Sequence, residues 1–194
     1  MPLCLAALGE KTIVATLFRV RSGLFWLHTL QLDMVDQPDV LELEPYAQDL
    51  YLAVTRAIPH WITSRVQEIA SMSIDETSKE FSSALAEVVQ QTHNFVSGDL
   101  YSLLATDVDA QQSNPLHVLR TSTASATRLL QTSGVTPPRR DEYEVRAMPE
   151  DVFSIGPLTW RDLGEDVHEA GISWGAWKAA TILMRRRADG SIPS

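Results

Sequence analysis

Residues 43–72 read LEPYAQDLYLAVTRAIPHWITSRVQEIASM. Leu43, Tyr46, Ala47, Leu50, Val54, Ala57, Ile58 and Trp61 recur at intervals of three and four, which gathers them on one face of an α-helix. Pro59 has no amide proton and is expected to bend or break that helix. A second helix is then expected to carry Trp61, Ile62, Val66 and Ile69 to about Met72.

The same period continues outward from this stretch. Ser73-x-x-Glu76 and Thr77-x-x-Glu80 have the form of capping boxes, in which a hydroxyl and a carboxylate satisfy unpaired backbone donors reciprocally. Phe81, Ala84, Leu85, Val88, Thr92, Phe95 and Val96 form the next helical face, and Gly98 is expected to stop it, with Leu100, Leu103 and Leu104 on a short continuation. Residues 107–114 (DVDAQQSN) are polar and read as a loop. Asn114 before Pro115 is a good helix start, because asparagine caps well and a first-turn proline loses no needed donor. That helix is expected to reach about Gln131, with Gly134 as its stop. After Thr136-Pro137-Pro138, a short helix from Asp141 to Met148 leads into a stretch punctuated by Gly156 and Pro157. The last helix, about Asp166 to Arg187, is apolar on nearly every side between Ile172 and Met184, so a central, buried position is expected. Thr12 to Val20 is rich in β-branched residues but has no clear pairing partner. The fold class predicted is all-α: a single-domain multi-helix bundle of short, crossing helices occupying residues 34–190.

Residues 1–33 do not join this pattern. Glu10 and Lys11 follow an apolar start, and Arg19 and Arg21 interrupt what comes next, which is neither a secretory leader nor a membrane span. They are expected to form a peripheral N-terminal extension, upstream of a natural start at Met34; an amphipathic surface helix is the alternative.

The chain has 194 residues and a formal net charge of −9. Between Met34 and Val118 there are thirteen acidic and three basic residues, whereas Leu119 to Ser194 carries ten of each. An acidic middle repels phosphate backbones, which argues against nucleic acid as a partner. Cys4 is the only cysteine, so no intrachain disulfide forms, and a reducing, cytoplasmic setting is expected.

Several motifs invite a chemical reading. Gly171-Ile-Ser173-Trp-Gly175 matches the nucleophile elbow, but that motif needs a preceding strand and a later histidine, and no histidine follows His168. Glu165-x-x-His168 has the spacing of a di-iron ligand pair, without the second such pair that a di-iron bundle requires. Asp107-x-Asp109-x-Gln111 lacks the glycine and the terminal acid of a calcium loop. The arginines at 185–187 match the negative end of a helix dipole and need no nucleic acid to explain them.

The aromatic residues are the more unusual feature. Trp160, Trp174 and Trp177 are three of the five tryptophans, with Tyr143 and Phe153 nearby. Core packing is their ordinary role. The functional reading makes Tyr143, Trp160 and Trp174 the wall of a pocket, with Arg146 or Arg161 as an anion anchor. Trp177 is expected in the core, and Trp174, at the glycine-rich end, in the pocket. Gly171 and Gly175 are expected to let a neighbour approach the last helix closely.

The runs DVDAQ at 107–111, NPL at 114–116, GVTPP at 134–138, RRDEY at 139–143, MPEDV at 148–152, PLTWRDL at 157–163 and HEAGISWGAWKA at 168–179 resemble a group of uncharacterised conserved actinobacterial helical proteins. The likeness spans roughly Leu104 to Arg187 and, more weakly, Met34 to Ser71. It implies a cytoplasmic helical protein and supplies no catalytic residue, metal ligand or cofactor. The function expected is a non-enzymatic helical module that binds a partner protein or small ligand. The alternative is a metal-assisted hydrolase whose residues converge only in the fold.

Overall fold

Pro45 stands in the first turn of a helix, α1, that runs without interruption to Ser71. The computed structural model describes residues 42–73, 78–110 and 114–191. All of them belong to one unit, Met34–Ser194, and the expectation for residues 1–33 lies outside them. Among the described residues the fold is all-α, with no strand.

Pro59 lies inside α1 and does not end it, contrary to the break predicted from the sequence. The missing amide leaves the Thr55 carbonyl without its helical donor. His93, on the facing helix α2 (Lys79–Ala105), hydrogen-bonds the Thr55 backbone instead. Threonine hydroxyls bind neighbouring carbonyls: Thr55 Oγ1 donates to Tyr51 at 2.8 Å, and Thr63 Oγ1 to Pro59 at 2.7 Å. One continuous helix therefore replaces the two expected.

α2 also outruns its predicted stop. It passes through the exposed Gly98 to Ala105, burying Leu100 and Leu104. Ser78 is its N-cap and accepts the Phe81 amide at 3.1 Å. The predicted helix from Asn114 is instead two: α3 (Pro115–Thr121), capped by Asn114 as expected, and α4 (Ala124–Thr132). Ser122 and Thr123 divide them, because their buried hydroxyls take the Leu119 and Arg120 carbonyls at 2.7 and 3.0 Å. Short hydroxyl side chains compete with the helical backbone in this way. α5 (Glu142–Ala147), capped by Asp141, a 3-10 turn at Trp160–Leu163 and α6 (Glu165–Ala188) complete the chain.

Among the described residues, α1 is the central helix. It packs against α2 and α6, while α3 and α4 pack on α2. Leu50, Val54, Ile58, Ile62 and Val66 are all but fully buried along it. Each such aliphatic side chain contributes roughly 1.5–3 kcal/mol when removed from water. α6 is not the central helix that its composition predicts. Only Val167, Gly171 and Trp174 of its residues are buried, and its second half is largely exposed.

Candidate functional site

The segment between α5 and α6 has little regular structure, yet it is fastened closely to the helices. Asp151 is buried, and its carboxylate accepts the Ile155 amide at 2.9 Å and the Gly156 amide at 2.5 Å. This closes a loop in which Ser154 takes φ +54°, a left-handed conformation that costs a non-glycine residue energy. Carbonyls of the loop are held from outside. Arg65 donates to Ser154 at 3.1 Å and Trp61 Nε1 to Ile155 at 2.6 Å. Arg120 donates to Pro157 at 3.2 Å and Leu158 at 2.7 Å. Phe153 and Ile155 then lie fully buried in the core. Residues 148–163 are thus a strap bound to α1 and α3 mainly through its own backbone.

An open cleft of about 540 Å³ lies beside the strap's end, lined by Asp49, Ala53 and Arg56 of α1 and by Gly164, Glu165 and Ala170 among others. The positive end of the α6 dipole opens here without a side-chain cap. Glu165 and Asp166 already supply negative charge at that end, and with Asp49 they outnumber the single guanidinium of Arg56. Nothing in this lining selects a ligand class.

The residues singled out in the sequence are dispersed. Tyr143 is 71% exposed on α5, and Arg146 is exposed in that helix's last turn. Arg161 is exposed on the 3-10 turn. Trp160 is half-buried against α6: a Cβ at Gly171 would meet its ring at 2.8 Å, so the glycine makes room for the indole. Gly175 has no such neighbour. Trp174 is buried, 8% exposed, with the Lys178 ammonium 4.9 Å from its ring centroid. Trp177 is half-buried, its ring 6.0 Å from that of Tyr46. Trp174, expected in a pocket, therefore belongs to the core, because it lies on the turn of α6 that faces inward, and Trp177 packs half-buried against the same core. None of Tyr143, Arg146, Trp160, Arg161 and Trp174 lines the cleft.

Other motifs find structural explanations. Ser173 is exposed in the middle of α6, on a continuous helix rather than an elbow. Asp107 and Asp109 form ion pairs with Arg185, tying the end of α6 to the loop after α2. Those contacts and the Asp109 amide hold the Asp107 carboxyl below its ordinary range, the amide most strongly. Among the described residues, no group of three or more His, Cys, Asp or Glu side chains is placed to hold a metal. No helix among them is long and apolar enough to cross a membrane.

The feature that sequence reasoning missed is the outer side of α6. At 3.6 residues per turn, Ile172, Ala176, Ala179 and Leu183 fall on one line, roughly 140° around the helix from the inward line of Val167, Gly171 and Trp174. All four outer residues are exposed, Ile172 by 56% and Leu183 by 40%, and Met184 beside them by 63%. The signal was present in the sequence: a helix apolar on two opposite faces and a helix buried all round have the same composition. No family model, curated protein or solved structure matches the chain.

Proposed function

We propose that this protein is a non-enzymatic helical module that binds a partner protein through the outer face of α6. The observation that carries this reading is the apolar line Ile172–Ala176–Ala179–Leu183, left exposed on a helix that buries Val167, Gly171 and Trp174 on its inward face. Large apolar side chains clustered on an exposed helix are the usual mark of a docking surface. The acidic surface makes nucleic acid a poor partner. The single cysteine supports a cytoplasmic setting, and the C-terminal sequence runs support kinship with the actinobacterial helical proteins.

A photo-cross-linking residue placed at position 183 tests the reading, with the exposed Thr132 on α4 as the control position. Discrete adducts are expected at 183 and not at 132; equal yields at the two positions would sink the proposal. Elemental analysis of the purified protein addresses the alternative. A stoichiometric metal would overturn the binding module in favour of a metal-assisted hydrolase.

A further inference from the structure

We infer that the outer face of α6 pairs with the same face of a second copy, the two helices running antiparallel. This rests on the reading of that face as a docking surface and names its occupant.

The spacing is the first argument. Ile172, Ala176, Ala179 and Leu183 follow one another at four, three and four residues, the alternation that keeps a seam facing one partner helix in a coiled coil. Extended in both directions, the same line passes through Glu165 and Glu169 at the start of α6 and Arg186 near its end. It is acidic at one end, apolar in the middle and basic at the other.

Charge complementarity is the second argument, and it selects both the occupant and the direction. A two-fold contact brings one patch against its own copy, so the patch must complement itself. In a parallel pair, Glu169 would face the partner's Glu169 and Arg186 the partner's Arg186. Turned antiparallel, with the two-fold axis between Ala176 and Ala179, every layer from Glu169 to Arg186 matches. Ile172 meets the partner's Leu183, Ala176 meets the partner's Ala179, and Glu169 meets the partner's Arg186. The alanines at the centre let the two backbones approach, and the larger aliphatic side chains close the seam on either side. Arg185 takes no part, since it turns inward to Asp107 and Asp109.

Sedimentation of the 194-residue chain over a range of concentrations tests this. The expected result is a concentration-dependent rise from the 21.6 kDa of one chain to twice that mass. Leu183→Glu should weaken the association at least tenfold with helix content unchanged. Glu169→Arg alone and Arg186→Glu alone should each weaken it, and combining the two should restore it. A parallel seam would show no such rescue. A chain that stays monomeric, or a dimer indifferent to Leu183→Glu and to both charge reversals, overturns the inference. The two readings fail separately. A monomer that cross-links from position 183 to a different polypeptide refutes self-pairing and leaves the docking surface standing, whereas a monomer without adducts refutes both.

Discussion

Asp151 shows how much structure one carboxylate can hold. It closes the loop ahead of Gly156 by taking two amides that are buried away from water, and a buried donor left unpaired costs about 1–3 kcal/mol. Asp151→Ala is accordingly expected to lower the unfolding free energy by about 2–4 kcal/mol in a denaturant titration, with Asp151→Asn losing less. A change under ~0.5 kcal/mol would mean that the loop keeps its shape by other means. Ser154 makes the opposite case. Its hydroxyl oxygen is buried with no hydrogen-bond partner among the described residues, and its backbone sits in the left-handed region. Ser154→Gly should remove both penalties and stabilise the protein by about 1 kcal/mol, read from the same titration. The tryptophans of α6 also part company at this scale. Trp174→Ala empties a buried aromatic site and is expected to cost about 3–5 kcal/mol. Trp177, half in water, should cost about half as much. A reversed order in the two unfolding midpoints would contradict the orientation of α6.

At the level of elements, α1 and α2 repair a defect together. The Thr55 carbonyl, deprived of a donor by Pro59, is served by His93, whose other ring nitrogen, Nδ1, is buried with no hydrogen-bond partner among the described residues. Burial pushes the His93 imidazole below its ordinary value of 6.5, and the bond to Thr55 offsets part of that. The fold therefore takes up a proton at His93 less readily than the unfolded chain does. The stabilisation this implies is fully present above pH 6.5 and is lost as the pH falls through and below it. Unfolding midpoints of the wild type and His93→Gln, measured from pH 7.5 to 5.5, should show the wild type losing more of its stability on acidification. Parallel curves would remove His93 from the account. The period in residues 43–72 made the first helix legible, and so did the cap at Asn114 for the helix that follows it. The continuation through Pro59 was not legible, because the compensating group lies on another helix. The split at Ser122–Thr123 was visible only as a run of hydroxyl residues, whose choice of carbonyl depends on the folded backbone.

Over the whole molecule, which helix is central was decided by geometry that composition does not contain. α6 is the more uniformly apolar, yet α1 has neighbours on two sides, and the outer face of α6 has none among the described residues. The candidate residues from Tyr143 to Trp174 were drawn together by closeness in sequence, and the strap that joins them spreads them over three elements. If that outer face is used only in assembly, Ile172→Ser and Leu183→Ser should each shift the stability of the isolated chain by under ~0.5 kcal/mol, the usual effect of a surface change. Thermal melts at low protein concentration check this, and a loss of several degrees would place the face inside the fold. The strap has a different temporal character. Trp61 and Ile155 stand 94 residues apart, so their bond forms only once the chain has closed a long loop. Local openings in proteins often involve such late-docking segments and need less free energy than global unfolding. The Ile155 and Gly156 amides, sealed by Asp151, can meet deuterated solvent only when the strap lifts, whereas the amides in the middle of α1 wait for the entire core to come apart. The ratio of those two exchange rates would act as a clock inside the native state, reading how often residues 148–163 peel away from a body that remains folded.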